Sequence, residues 1–510
     1  MKKALISVWN KEGIVELAQF LINNEIEIVS TGGTKKILEQ NNIDVTSIAE
    51  ITDMGSIMDG RVKTLNPKIF GGILADRNNK NHLDDLAAIG GVEFDVVIVN
   101  FYPFQEEAAN KEIDLEKAIE YIDIGGPSMV RAAAKNYKNV IPLCSPSLYT
   151  HFIDLYSKHG GVFSENERTF FASKVFEMTS DYESKIFNYF NRDIESNLPL
   201  NMNINLYQKS ILRYGENPHQ KSGFYINSIS KNTPWEQHQG KELSYNNYND
   251  LESAFNISNE FLSPACVIIK HANPCGFGIG NDLEEAYNRA VSTDPVSYFG
   301  GIVGFNRRID SKMAKELVKP FLECIIAPEI SPEALEIFKV KKNLRVLTLD
   351  NKKSFHNLSV KSVAGGFIIQ EQDISMKDFD DFKLVTKKKI NQSQKHAMKI
   401  GWKIVKYVKS NAIVIANKNQ ILGIGAGQMS RVDSVKIAIR KAQEAGFLLD
   451  NSIIASDAFF PFPDSIELAA ENGIFGIIQP GGSIKDDAII EKADELDITM
   501  IMTGERHFYH

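Results

Sequence analysis

The first third of the chain alternates two patterns. Short, mostly apolar runs, "ALISV" (4–8), "IEIVS" (26–30), "DVVIVN" (95–100) and "VIPLC" (140–144), read as strands covered on both faces. Between them apolar residues return every three or four positions, as Ile14, Leu17 and Leu21 do, which predicts helices with one buried face. Strands separated by helices imply a parallel sheet, with ligands gathered at the carboxyl ends of its strands.

This periodicity lapses in the Asn-rich stretch "FNRDIESNLPLNMNINLYQKSI" (190–211), which predicts a boundary near 197 and domains over 1–197 and 198–510. The second part reads as duplicated. "GFGIG" followed by a helical pattern is matched by "GIGAG" followed by another, pairing Gly278 with Gly425. "TDPVSYFGG" is matched by "SDAFFPF", pairing Asp294 with Asp457, and "IIAPEIS" by "IIQPGGS", pairing Pro328 with Pro480. Two related α/β halves with a site between them fit this pattern, as does ordinary strand–turn–helix punctuation.

A chain of 510 residues is too long for one core, which agrees with two or three domains. A hydrophobic share of 43% and a charged share of 24% are those of a globular protein. The net charge of −8 speaks against duplex nucleic acid as the main partner but leaves room for small anions in a local basic pocket. Four cysteines without a CxxC pair read as reduced thiols of a cytosolic protein. The first apolar run ends at Asn10, Lys11 and Glu12, too early for a signal-peptide core, and no stretch reaches membrane-spanning length. A cytoplasmic location is expected.

In the first domain, "STGGT" (30–34) lies between a strand and a helix. Gly32 and Gly33 let the backbone approach an anion, while Ser30, Thr31 and Thr34 add hydroxyls, although such loops often need glycine for the turn alone. "GRVKTLNP" (60–67) groups Arg61, Lys63 and Thr64 as donors suited to a phosphate or an oxyanion, and equally to a solvated basic loop. Asn100 and Tyr102 in "NFYPF" close a strand, where an aromatic residue can also cap the core. In "IDIGGPSMVRAAAKN" (122–136), Asp123 precedes the Gly125–Gly126 turn and Lys135 follows on a helix; taken singly they read as a cap and a surface lysine. Four polar clusters at the ends of parallel strands favour a site.

In the second domain, "LRYGENPHQ" (212–220) offers Arg213 to a phosphate and Tyr214 to a ring. "KHANPCG" (270–276) ends the strand-like "ACVIIK". Zinc fails here, because position 278 is glycine where a zinc deaminase needs its second cysteine, and His271 with Cys275 supplies only two ligands. The reading that remains is an acid/base pair, since histidine titrates near neutral pH and Lys270 stands beside it. "SDAFFPFPD" (456–464) suits a flat heteroaromatic ligand or the core, and the terminal "RHFYH" is of a kind often disordered.

Taken in order, "STGGT", "GRVKTL.P", "N.YPF", "IDIGG…RAAAKN", "LRYGENPHQ", "KHANPCG", "GIGAGQ.SR", "SDAFFPF" and "RHF.H" resemble the bifunctional purine-biosynthesis family that joins AICAR formyltransferase to IMP cyclohydrolase, over essentially the whole chain. The resemblance implies an N-terminal methylglyoxal-synthase-like domain and a C-terminal transformylase of two cytidine-deaminase-like halves. It also implies a homodimer with shared transformylase sites, 10-formyltetrahydrofolate as cosubstrate, and no metal or tightly bound cofactor. It assigns His271 as general base, Lys270 to the oxyanion or the folate nitrogen, and Asn411 to the formyl group. Arg213, Tyr214, Asn249 and Arg506 would hold the nucleotide, with Phe299 and His510 among the binding residues, and Phe459, Phe460 and Asp464 would line the folate side. In the cyclohydrolase, Lys63 and Tyr102 would stabilise developing oxygen charge, and Asp123 and Lys135 would move the amide proton. Ser30, Thr31, Gly32, Gly33, Thr34, Arg61, Thr64, Asn100, Gly125 and Gly126 would bind the substrate. The sequence departs from the family where Asn66 and Phe70 replace common histidines, Pro463 a frequent arginine, and Tyr509 varies the tail. A nucleoside deaminase and an inactive nucleotide-binding regulator are the competing classes; the absent zinc cysteine counts against the first, and the presence of Lys63, Asp123, Lys270 and His271 against the second.

Overall fold

A computed structural model describes residues 1–58, 61–108, 113–191, 198–227, 235–349, 358–374 and 377–510. The chain divides into two compact units, one running from Met1 to Asn205 and the other essentially from Leu206 to His510. The expected boundary at 197 lies outside the described residues.

The first unit is built on five parallel strands, β1 (Lys3–Val8), β2 (Glu27–Ser30), β3 (Thr46–Ser47), β4 (Val96–Asn100) and β5 (Ile141–Leu143), in the order β3-β2-β1-β4-β5. The four apolar runs are strands as expected, and all five residues of β4 are buried, as a central strand covered on both faces requires. The helix Ile14–Asn23 turns Ile14, Leu17, Ala18 and Leu21 inward. The helix Gly125–Lys135 buries Ala132, Ala133 and Ala134, small residues that let it lie against β4 and β5. This topology puts Trp9, Thr31 and Phe101 together at one edge of the sheet, where β1, β2 and β4 end.

The second unit opens with a hairpin of β6 (Leu206–Leu212) and β7 (Ser222–Asn227). Its first large sheet holds β8 (Trp235–Gln239), β9 (Ala265–Lys270), β10 (Asn273–Ile279), β11 (Ile302–Phe305), β12 (Cys324–Ala327) and β13 (Arg345–Leu349), in the order β10-β9-β11-β12-β13-β8. An exposed hairpin of β14 (Leu358–Val363) and β15 (Gly366–Glu371) follows. The second sheet holds β16 (Lys383–Leu384), β17 (Ile413–Ala416), β18 (Ile421–Gly425), β19 (Ile453–Ser456), β20 (Gly476–Gln479) and β21 (Thr499–Met502), in the order β16-β21-β20-β19-β17-β18.

The two sheets repeat one plan: a helix, an antiparallel hairpin, a strand antiparallel to its first arm, then two parallel strands, each step separated by a helix. Gly276 and Gly423 are equivalent in this plan: a Cβ on either would lie 2.1 Å from a helix carbonyl, that of Ala290 or Ala438. "GFGIG" therefore matches "GIGAG", and "IIAPEIS" matches "IIQPGGS", on equivalent strands. The pairing of Asp294 with Asp457 does not hold, because Asp294 precedes β11 whereas Asp457 follows β19. Alternate residues of β9 and β17 serve different cores: Val267, Ile269 and Val414 enter one shared by both halves with Trp402, while Cys266, Ile268, Ile413 and Ile415 face the outer helices.

Candidate functional site

At the carboxyl edge of the first sheet the helix Gly32–Gln40 starts with an open N-terminus: Thr31 occupies the cap position and no side chain bonds the first amides. Gly32 and Gly33 are exposed, and a Cβ on either would meet nothing within 4 Å. Packing does not require these glycines; a bare backbone at a positive helix end is what an anion needs. The neighbouring polar side chains build the cradle. Ser30 Oγ donates to the Ile6 carbonyl at 2.8 Å, Thr34 Oγ1 to that of Val8 at 3.1 Å, and Ser7 and Thr31 share a hydrogen bond at 3.0 Å. Asn100 Oδ1 accepts from the Trp9 and Asn10 amides at 2.6 and 2.8 Å. Ser30, Thr34 and Asn100 are thus buried loop-holders. Lys11, which the sequence reading used only to end an apolar run, reaches into this cradle and donates to Val8 O and to Thr34 Oγ1. Burial lowers its pKa.

Thr64 is buried, Lys63 is exposed, and Arg61 pairs with Glu120. A Cβ on Gly125 would lie 2.7 Å from Thr64 Oγ1, so glycine there lets the Thr64 loop sit on the start of the helix Gly125–Lys135. Asp123 Oδ1 accepts from Gly126 N at 2.9 Å, and its own amide donates to Tyr182 OH at 2.7 Å. Burial pushes the Asp123 carboxyl above the usual carboxylate range, against the pull of the Gly126 and Gly125 amides. Tyr102 stands 47% exposed. Lys135 lies in the last turn of the same helix, a rise of about 15 Å from its first residue. Asp123 and Lys135 are not brought together within the chain, and their joint role rests on the family resemblance. Asn66 caps the helix Pro67–Leu74, accepting from Lys68 N at 2.9 Å, and Phe70 packs on the first core. Both departures from histidine are therefore structural parts here.

In the second unit, Lys270 and Asn273 pair at the end of the β9–β10 hairpin, leaving His271 and Ala272 as its two-residue turn. Both have positive φ, 54° and 57°, the mirror-image turn that suits hairpin twist. Lys270 Nζ donates to the carbonyls of Ser297 and Phe299 at 3.2 and 3.0 Å. Asn273 ties this turn to the second half: its Nδ2 donates to His271 O at 3.1 Å and its Oδ1 accepts from Lys409 N at 3.0 Å. Two residues on stands Asn411, whose Nδ2 donates to Gln428 O and Met429 O at 2.9 and 3.0 Å and whose Oδ1 accepts from Arg431 at 2.8 Å. Arg431 in turn pairs with the fully buried Asp457. The Arg431–Asp457 pair was not singled out from the sequence, although "GIGAGQMSR" and "SDAFFPF" carry it.

The "LRYGENPHQ" loop is held by Gly215 N donating to Gln220 O at 2.7 Å and by Asn246 Nδ2 donating to Glu216 O at 3.3 Å, which links it to the helix Tyr245–Asn259 bearing exposed Asn249. Arg213 stays exposed, over the Tyr214 ring at 5.7 Å. Phe299 is 58% exposed and Phe459 39%. Phe460 is fully buried in the outer core of the second half, its amide donating to Gln479 Oε1 at 2.9 Å. Its burial argues against a place in the folate site, whereas Phe459 is open to solvent. Asp464 starts the helix Asp464–Glu471 and accepts from Ser465 N; Pro463 precedes it as the cap residue.

The C-terminal segment is ordered, contrary to expectation. His507 is buried and its amide donates to Asp457 O at 3.0 Å; Tyr509 and Ser410 exchange backbone and hydroxyl bonds; Lys409 donates to His510 O at 2.8 Å. Arg506 stays exposed, over the Phe508 ring at 4.7 Å, and His510 is exposed. Cys275 lies within β10 rather than in a turn, and burial pushes its thiol up to about 12, so it stays protonated. Among the described residues no three His, Cys, Asp or Glu side chains converge as a metal would need.

Residues 133–441 match the family model described as AICARFT/IMPCHase bienzyme, and residues 13–128 match an MGS-like domain. The bifunctional purine biosynthesis proteins PurH of Bacillus cytotoxicus and Bacillus mycoides are each 48% identical, over the full length of both chains. A solved structure, "Crystal structure of ForH", is 31% identical over 37% of this chain and 98% of its own, at a TM-score of 0.33.

Proposed function

The chain belongs to the AICARFT/IMPCHase bienzyme family, and from that premise we propose how its residues divide the two reactions. The protein transfers a formyl group from 10-formyltetrahydrofolate to AICAR and closes formyl-AICAR to IMP, the last two steps of IMP biosynthesis. Residues 1–197 form the cyclohydrolase and 198–510 the transformylase, the latter as two cytidine-deaminase-like halves. The MGS-like match at 13–128 supports the first assignment and the repeated strand plan the second.

The observation that carries the transformylase reading is the Lys270–Asn273 turn, hydrogen-bonded through Lys409 to the segment bearing Asn411. AICAR's amine is a poor nucleophile, its lone pair delocalised into the ring, so its proton must leave as the C–N bond forms. His271 takes that proton, and Lys270 stabilises the tetrahedral oxyanion or protonates the departing folate nitrogen. Both amide hydrogens of Asn411 are engaged and Arg431 holds one lone pair of Oδ1, which leaves an acceptor for a substrate N–H rather than a donor for the formyl oxygen. Arg213, Tyr214, Asn249 and Arg506 take the nucleotide; Phe299, Phe459 and Asp464 take the folate.

In the cyclohydrolase the open helix at Gly32 and Gly33 receives the phosphate, with Lys11 close by. The carboxamide nitrogen attacks the formyl carbon, Lys63 and Tyr102 stabilise the oxygen charge, and Asp123 accepts the amide proton, its raised pKa bringing it nearer the working range of a base. Loss of water then makes the ring aromatic, which draws the formyl transfer forward. The family resemblance supports a homodimer with shared transformylase sites and a cytoplasmic location; no helix among the described residues is long and apolar enough to cross a membrane. Incubation with AICAR and 10-formyltetrahydrofolate should yield IMP. Accumulation of formyl-AICAR would refute the cyclohydrolase, and unchanged AICAR the transformylase.

A further inference from the structure

His271 and Ala272 both adopt the left-handed region, φ 54° and 57°, where glycine or asparagine is the usual occupant of a two-residue hairpin turn. Two non-glycine residues in a row hold such a conformation only where their surroundings over-determine it. Asn273 anchors the carbonyl of His271 at 3.1 Å from one side. From the other side comes Asp250, in the second turn of the helix Tyr245–Asn259, whose Oδ1 accepts from Ala272 N at 2.6 Å. His271, next in the turn, also favours the ionised form of this carboxylate.

We propose that Asp250 is the positioning residue of formyl transfer: its carboxylate holds the Ala272 amide of the His271–Ala272 turn and so aims the imidazole at the substrate amine. This rests on the reading of His271 as the base. The geometry has the form a positioning group needs. The acceptor sits on a rigid helix, the donor is the backbone amide of Ala272, one of the two strained residues, and the helix is anchored by Asn247, which donates to Glu323 at 3.0 Å. Other charged or titratable groups facing Asp250 are Glu323, just before β12, Cys324 at its start, and Tyr509 of the C-terminal segment. Burial, with Glu323 adding to it, raises the Asp250 carboxyl, while the turn amides and His271 pull it down. Nothing in the sequence near 250 announces this role, since Asp250 lies 22 positions before the amide it holds.

The test uses full-length protein and reads both reactions. Asp250→Ala should lower the kcat of formyl transfer on the order of 10²-fold, the scale of a misplacement near 1 Å. The KM for AICAR should stay within about threefold and cyclohydrolase activity should be unchanged. Adding Ala272→Gly, which removes the steric objection to positive φ, should restore part of the lost kcat. A structural role would instead lower activity only as far as the folded fraction falls, with kcat per folded molecule unchanged. The proposal is overturned if folded Asp250→Ala keeps kcat within about twofold, if only KM rises, or if the loss follows the folded fraction and Ala272→Gly restores nothing. If Asp250→Ala does not fold, Asp250→Asn takes its place: a lowered kcat at constant KM supports the proposal and a wild-type kcat overturns it. His271→Ala separates the premise from the inference. Full activity there removes the base itself, whereas loss there with full activity in the Asp250 variants removes only the positioning role.

Discussion

At the scale of single residues, burial decides which members of a motif can meet a ligand. His271 is exposed at the tip of its turn, so His271→Ala should lower formyl transfer roughly 10²–10⁴-fold and leave the melting temperature and cyclohydrolase activity near wild type. Phe459 and Phe460, adjacent in sequence, should separate cleanly. Phe460→Ala opens a cavity in the outer core and should cost about 3–5 kcal/mol of stability, while Phe459→Ala should leave stability nearly unchanged and raise the folate KM. Asp123 gives a pH prediction with a definite sign. Its folded pKa lies above its unfolded value, so the native state keeps the proton to higher pH, and stability falls as pH rises between the two values. At neutral pH the ionised carboxylate is therefore a net cost. Asp123→Asn should raise the melting temperature at pH 7, an advantage that disappears below about pH 4, where both states are protonated. Cyclohydrolase activity should fall in the same variant.

At the scale of elements, glycines with the same look have opposite roles. A Cβ on Gly425 would lie 1.9 Å from the Ser434 carbonyl, because β18 and the helix Arg431–Glu444 are pressed backbone to backbone; Gly425→Ala should destabilise the second unit and reduce soluble protein. A Cβ on Gly32 meets nothing, so Gly32→Ala should fold normally and show its effect in weaker IMP binding, measured by calorimetry. The sequence alone distinguished such cases poorly. Runs such as "DVVIVN" announced central strands because burial on both faces leaves no polar position, and the glycine pairs beside helices exposed the duplication. The hairpins β6–β7 and β14–β15 have no such signature, since exposed strands carry mixed composition. Lys11, Asp250 and the Arg431–Asp457 pair were missed for a different reason. Each works through a partner brought close only by the fold, as Arg431 is to Asp457 across 26 positions, and no local pattern marks that meeting. That Phe460 is buried and Phe459 exposed was likewise hidden, because an aromatic run does not declare which ring faces inward.

At the scale of the whole molecule, the cores predict how the chain can be cut. Every buried residue of the first core lies from Ala4 to Tyr182, and every buried residue of the other three from Leu243 onward. A unit of nearly 200 residues buries enough of its surface to stand alone. A fragment of residues 1–197 should therefore be soluble, melt cooperatively and convert formyl-AICAR to IMP without folate. Residues 198–510 should formylate AICAR, and mixing the two should restore the full sequence of reactions. The cut cannot move far toward the N-terminus. The helix Glu165–Phe190 contributes Phe171, Val175 and Tyr182 to the core, and Tyr182 OH accepts the Asp123 amide at 2.7 Å. A fragment ending at 160 should lose both the packing and the hold on Asp123, and should be insoluble or inactive. Activity measured on fragments 1–160 and 1–197 checks this directly. If 1–197 is inactive while the intact chain makes IMP, the two reactions are not housed in separately folding units.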